Sequence, residues 1–364
     1  MADPSAARLI IDLDALAHNF AVLRAHAGGA AVAPVVKADG YGLGAGPIAR
    51  RLWREGVRAL FVARLAEGEA LRAALGKDRP ATIFVLDGLT AGSEPRLEAA
   101  GLTPVLAALR QVSAARAYAA ATGRPMAVAL HVDTGMNRQG LTVDEARDLA
   151  QAAEDLRGVS VVLLMSHLGS AADPTDPRNA EQLARFAPVR ALYADSPASL
   201  SASAGIFLGE GYRHEVVRPG VSLYGGGPLE RPDARLRAVA TLTAPILDTR
   251  DLRAGDRVGY GSTMIADRPM RVAVVGAGYA DGVIRASRGR GYAWFAGQRR
   301  ALLSVTMDML VIELGDVEAQ PGDDVELLGP NVHLDDLAAA AGTVAHEVLF
   351  RLSPRAVRTY KGES

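Results

Sequence analysis

Between about residues 30 and 235 the chain repeats one pattern: a short apolar run, a polar or glycine-containing end, then a longer stretch of helical periodicity. The runs are "VAPVVK", "ALFVAR", "ATIFVL", "LTPVLA", "MAVALHVD", "VSVVLLMSH", "SLSAS" and "EVVRPGVSLYG". Thr142-Val143-Asp144-Glu145 between them fits a capping box, and Asp176-Pro177 fits an N-cap followed by proline at the first helical position. Strands that are apolar throughout, alternating with helices, are buried on both faces. The pattern predicts an α/β fold with an N-terminal (β/α)8 TIM-like barrel over residues 9–234, and a doubly wound open sheet is the alternative.

Past residue 235 the rhythm changes. "VATLTAPILDTRDL", "RPMRVAVVGAG", "YAWFAGQRRALLSVTMDMLVIEL" and "DDVELLG" read as strands separated by turns, and only "LDDLAAAAG" reads as a helix. A mostly β C-terminal domain is therefore expected over 235–364. Residues 1–8 either precede the barrel or join this second domain.

Composition narrows the function. The chain has 364 residues, 49% hydrophobic and 22% charged, enough for a large core. Forty basic against forty-one acidic residues argue against a nucleic-acid partner. There is no cysteine, which excludes disulfides, thiolate nucleophiles and cysteine metal sites, and no metal site is expected. No secretory leader pattern and no run of eighteen apolar residues is visible, so a cytoplasmic protein without a membrane span is expected.

Active sites of (β/α)8 barrels form where the strands end. The polar residues there are Lys37 and Tyr41, Asp133 and Arg138, His167, Ser203, and Arg218, Gly220 and Tyr224. A lysine, two arginines and a histidine at one mouth suit an anionic ligand. A lysine partly desolvated beside other cations has a lowered pKa and serves as an amine nucleophile, whereas an isolated strand-end lysine is merely solvated. "VVGAGYADG" misses the G-x-G-x-x-G spacing of a dinucleotide loop and is not read as one.

"VVKADGYGLG", "VDTGMNRQG", "MSHLGSA", "VRPGVSLYG", "VGYGST", "GYADG" and "VTMDM", in this order, resemble the motifs of the bacterial alanine racemase family along nearly the whole chain. The resemblance implies pyridoxal phosphate as cofactor, carried by Lys37. It implies that Tyr41, Ser203, Gly220 and Val221 hold the phosphate, that Arg218 meets the pyridine nitrogen, and that His167 and Arg138 sit at the ring and its phenolic oxygen. An arginine cannot accept the pyridinium proton, so the ring stays a weaker electron sink and a Cα carbanion is short-lived, which suits proton removal and return. Lys37 is implied as one base and Tyr260, from the neighbouring subunit, as the other; without the resemblance Tyr260 reads as a strand aromatic. A homodimer with shared active sites follows. Arg138, Met307, Asp308, Tyr279, Arg285 and His346 are implied at the substrate or its access channel.

Three positions depart from the family pattern. His131 stands where many members have a carbamylated lysine, leaving Arg138 to be held by chloride or by His131. Ser304 replaces an arginine, and His346 a tyrosine, changes expected to loosen the channel. Related barrel decarboxylases carry "EPG" where this chain has "RPG", and they use a cysteine acid that this chain lacks. A non-catalytic cofactor carrier would have the barrel alone. Alanine racemisation, with D-alanine destined for peptidoglycan, is the expected activity, and serine or lysine racemisation the alternative.

Overall fold

The computed structural model describes residues 5–262, 264–352 and 354–363. Half of the open N-terminal segment, residues 1–4, and Thr263 of "VGYGST" lie outside them. The chain divides into two compact units. One takes in the residues up to Asn19, Tyr41–Leu43 and the chain from Tyr224 onward; the other is Phe20–Gly40 with Gly44–Leu223. The boundaries anticipated from the pattern were 8/9 and 234/235.

The first strand, β1 (Arg8–Asp12), belongs to the first of these units. The second unit is the barrel. Its strands are β2 (Ala31–Val32), β3 (Ala59–Val62), β4 (Thr82–Val85), β5 (Leu102–Leu106), β6 (Met126–His131), β7 (Val159–Met165), β8 (Ala198–Ser199) and β9 (Val216–Val217). β3 to β8 form one parallel sheet in sequence order, and β2 pairs parallel with β9. Single parallel bridges, Val35 with Phe61 and Ala202 with Arg218, close the ring. All eight apolar runs thus supply strands. The first breaks after Val32, where Pro34 lacks an N–H, yet Ala33 and Val35 still donate to Val217 and Pro219. Inside the ring Phe61 stacks on Phe84 (centroids 4.6 Å apart) within a buried cluster including Val105, Ala129, Leu163 and Met165.

The helix signals hold locally. Thr142 Oγ1 accepts from the Glu145 N–H at 3.1 Å, and the Glu145 carboxylate accepts from the Thr142 N–H at 2.8 Å. Asp176 accepts from the Arg178 N–H at 2.9 Å, and the helix Arg178–Leu192 begins one residue later than expected.

In the β-rich unit, β10 (Ala240–Leu252) is long enough to pair with three partners, and a bulge between Ile246 and Asp248 bends it. A hairpin of β11 (Arg257–Val258) and β12 (Met264–Ile265) follows. Then come β13 (Met270–Val275), β14 (Tyr292–Phe295), β15 (Gln298–Val305), β16 (Leu310–Glu313) and β17 (Asp324–Leu328). The order β13-β16-β15-β14-β17-β10 returns to β13, so these six close an antiparallel barrel. β1 extends it from β10, and β18 (Val357–Lys361) pairs parallel with β1. Besides the expected helix Leu334–Ala341 there is a second, Ala345–Arg351, which carries His346. Tyr41–Leu43 is tied to this unit by Arg358 Nη1 donating to the Gly42 carbonyl (2.8 Å) and the Tyr360 hydroxyl to that of Leu43 (2.9 Å).

Candidate active site

In the barrel unit, Lys37 follows directly on the bridge that joins β2 to β3. The chain then turns with left-handed dihedrals at Ala38, Asp39 and Gly40, and Tyr41 continues with φ 59°. Left-handed conformation costs L-residues other than glycine about 1–2 kcal/mol each, and persists only where neighbours over-determine it. They do so here. The Ala38 N–H donates to Glu67 at 3.1 Å, and Asp39 accepts from the N–H groups of Gly44 and Ala45, both at 2.8 Å. Gly40 suits the turn, because a Cβ there would lie 2.8 Å from Ile48 Cδ1 and 3.1 Å from the Ala45 nitrogen.

Around Lys37 the barrel brings together Arg138, His131, His167 and Arg218, and the arginine charges act on the lysine and the two imidazoles. Burial lowers the Lys37 ammonium pKa, and the Arg138 charge lowers it further, against weaker pulls from Glu67 and Asp87. Burial, then Arg218 and Arg138, push His131 down to about 4 and His167 to about 3, so both rings are neutral at pH 7. Arg218, buried, is pushed down to about 9 by desolvation and stays charged. Its guanidinium donates to Ser199 Oγ and, at 2.6 Å, to the Ser166 carbonyl.

Asp133 has a structural task. Its Oδ1 accepts from the N–H groups of Gly135 (2.8 Å), Met136 (2.9 Å) and Asn137 (3.1 Å), folding the loop that presents Arg138. Burial raises the Asp133 pKa, but these backbone bonds outweigh it and hold the carboxyl below its ordinary value. Among the described residues none accepts a hydrogen bond from the exposed Arg138 side chain, and this loop places it at the mouth.

Ser203 Oγ accepts from the N–H groups of Gly220 (3.0 Å) and Ser222 (3.3 Å), joining the ends of the last two barrel strands. Ser222 Oγ is fully buried and, among the described residues, has no hydrogen-bond partner. Ser166, Ser199 and Ser222 lie inside the motifs and apolar runs but were not anticipated at the site, because no period marks a buried hydroxyl. Three cationic side chains, two neutral imidazoles and converging hydroxyl and N–H groups suit a ligand carrying several negative oxygens.

In the β-rich unit, the Tyr41 ring lies 4.6 Å from Tyr224 and 5.7 Å from His346, and burial raises its phenol pKa. Tyr224, expected at the mouth, is packed in that cluster with 1% exposure. Tyr260 stands between β11 and β12, flanked by Gly259 (φ 74°) and Gly261 (φ 68°), and is 80% exposed. The Tyr279 N–H donates to the Thr306 carbonyl at 2.9 Å and that of Ala280 to Met307 at 3.0 Å, setting Tyr279 beside Met307 and Asp308. Arg355 clamps the same two loops, with bonds of 2.8 and 2.7 Å to the buried Asp281 and 2.6 Å to Asp308. Arg285 is exposed beyond Tyr279. Ser304 does not line an open channel: it is buried, and its hydroxyl packs where a Cβ on Gly259 would collide. Its small size lets the Tyr260 turn sit down on β15.

The profile of the alanine racemase N-terminal domain matches residues 11–228, and that of the alanine racemase C-terminal domain matches 239–360. The chain belongs to the alanine racemase family. It is 43% identical over 358 residues to an alanine racemase of Methylobacterium nodulans, covering 97% of this chain and 96% of that one. It is 42% identical over 358 residues to a catabolic alanine racemase of Mesorhizobium japonicum, covering 97% and 93%. The crystal structure of alanine racemase from Bartonella henselae with covalently bound pyridoxal phosphate superposes with a TM-score of 0.91 at 32% identity, covering 98% of this chain and 99% of that one. As an alanine racemase the chain is an isomerase with pyridoxal phosphate as its cofactor. The donors gathered around Lys37 and Ser203 fit that group's phosphate and phenolic oxygens. No helix among the described residues is long and apolar enough to cross a membrane.

Proposed function

We propose that Lys37 and Tyr260 are the two proton carriers in the interconversion of L- and D-alanine, working in a homodimer. The observation that carries this reading is the Lys37 ammonium, desolvated beside Arg138 so that its pKa falls. Pyridoxal phosphate, when bound, withdraws electrons from the Cα–H bond of the amino acid it holds. Lys37 Nζ takes or returns that proton on one face, and Tyr260 Oη serves the other. Ser203 and the Gly220, Val221 and Ser222 backbone would hold the phosphate together with Tyr41. Arg218 would meet the pyridine nitrogen as a donor, and Arg138 and His167 would flank the ring. Met307 and Asp308 receive the substrate carboxylate, and Tyr279, Arg285 and His346 flank the approach.

An exposed tyrosine does little for its own chain. Ile265, Tyr279, Met307 and Met309 are also exposed on this unit, and exposed apolar groups of this size favour an interface. That supports a dimer in which Tyr260 serves the neighbouring subunit. The barrel (9–234) and β-rich (235–364) portions then divide the work, the first holding the cofactor and the second the other base. We place the reaction in the cytoplasm, supplying D-alanine for peptidoglycan. A D-alanine requirement on gene deletion supports that role; growth defects confined to D-alanine as nutrient support a catabolic one, as the Mesorhizobium relative is named.

The test is incubation with L- or D-alanine in deuterated water. Both enantiomers converge on the racemate with deuterium at Cα. Release of CO2, or an unchanged Cα proton, contradicts the reading.

A further inference from the structure

The barrel is open at the end opposite Lys37. The N-terminal ends of its strands surround a cavity of about 740 Å³, within the range of about 300–1,000 Å³ common for small-molecule sites. Interiors of such barrels are ordinarily filled by layers of bulky branched side chains. Here the outermost layer includes Ala31, Ala59, Thr82, Thr103, Ala127 and Val216. Ala31, Thr82 and Ala127 are exposed although each lies on a barrel strand. The buried Phe84 and Leu163 form the inner end. Phe84 stacks on Phe61, whose ring centroid is 5.9 Å from Arg218 Cζ, so an aromatic layer separates the cavity from the cationic pocket. None of the residues grouped around Lys37 lines it.

The rim adds a charge asymmetry. Arg24, Arg58 and Glu55 stand there. The Glu55 carboxylate is already matched by Arg51 at 2.9 Å. Both rim arginines, in contrast, touch only neutral groups. Arg58 lies 4.4 Å over the Trp53 ring and donates to the carbonyls of Trp53 (2.9 Å) and Val57 (2.8 Å). Arg24 lies 5.5 Å over the Phe20 ring and donates to the Glu55 carbonyl at 3.4 Å. Among the described residues neither pairs with a carboxylate. An apolar bowl with two uncompensated guanidinium groups at its lip is complementary to an amphipathic anion.

We propose that this cavity is a second binding site, taking a free medium-chain carboxylate with its chain inside the barrel end and its head group at Arg24 and Arg58. The site is independent of the reaction at Lys37.

Calorimetric titration of the cofactor-loaded protein with decanoate tests it. One saturable site per chain is expected, with decanol binding at least tenfold more weakly. Ala127→Phe, which fills the cavity, should abolish binding while racemisation and circular dichroism stay at wild-type level. Arg58→Glu should weaken decanoate about tenfold and leave decanol unaffected. Should Ala127→Phe fail to fold, Thr103→Leu serves the same purpose. Absence of saturable binding to the wild type, undiminished binding to a folded cavity-filling variant, or equal affinity for decanol would overturn the proposal.

Discussion

The Ser203 hydroxyl accepts a hydrogen bond from the Gly220 N–H at 3.0 Å, fastening the ends of the last two barrel strands around one polar point. The Ser222 N–H converges on the same oxygen at 3.3 Å. If this is the phosphate cradle, Ser203→Ala removes one hydroxyl from an anion's coordination. A hydrogen bond to a charged group contributes about 1.5–3 kcal/mol, so cofactor affinity should fall by roughly 10- to 100-fold with the fold retained. Fluorescence titration of cofactor-free protein with pyridoxal phosphate measures this, and an unchanged Kd moves the phosphate elsewhere.

The two desolvated imidazoles link stability to pH. His131 at about 4 and His167 at about 3 lie below the ordinary 6.5. The unfolded chain therefore binds more protons between these values, and stability falls as pH drops from 6.5 towards 4 and 3. From pH 7 to 5 the loss approaches about 2 kcal/mol per histidine. Urea midpoints of cofactor-free protein at pH 7 and 5 should differ accordingly, and His131→Asn should flatten the dependence. An equal pH slope in that variant would remove His131 as its source.

Gly40 sits at φ 63° with Ile48 Cδ1 where a Cβ would go. Gly40→Ala combines left-handed strain with overpacking and should cost about 1–3 kcal/mol, read as a lower urea midpoint. Because the turn begins at Lys37, covalent capture of the cofactor there after borohydride reduction, followed by peptide mass, should also decline. A variant as stable as wild type would mean that the turn relaxes without consequence.

Ser304 packs beneath Gly259, beside Tyr260. Ser304→Arg should therefore reduce alanine turnover and thermal stability together. Were the residue a channel wall instead, the substitution would leave stability unchanged and shift only the ratio of alanine to serine turnover.

The sequence disclosed the barrel because parallel strands buried on both faces must be apolar throughout, and the residues ending those runs are the ones that gather around Lys37. It was less informative where the signal depends on contact across long sequence separations. β18, "VRTYK", alternates exposed and half-buried positions and offers no apolar run. The helix Ala345–Arg351 is too short to establish a period. The left-handed turn uses Ala38 and Tyr41, residue types that do not advertise positive φ, beside Asp39, which tolerates it. Ser304 looked like an opening in a channel because its neighbour Gly259 lies 45 positions earlier in the chain.

The shared site is the central claim, and complementation between two inactive variants tests it most directly. Lys37→Ala and Tyr260→Phe, each nearly inactive alone, are co-expressed with different tags and purified as the doubly tagged dimer. In a C2 dimer one site then joins an intact Lys37 to the other chain's intact Tyr260, while the second site collects both defects. The account predicts about half of wild-type racemisation per dimer. Verified mixed dimers as inactive as their parents would show that Tyr260 does not act across the interface.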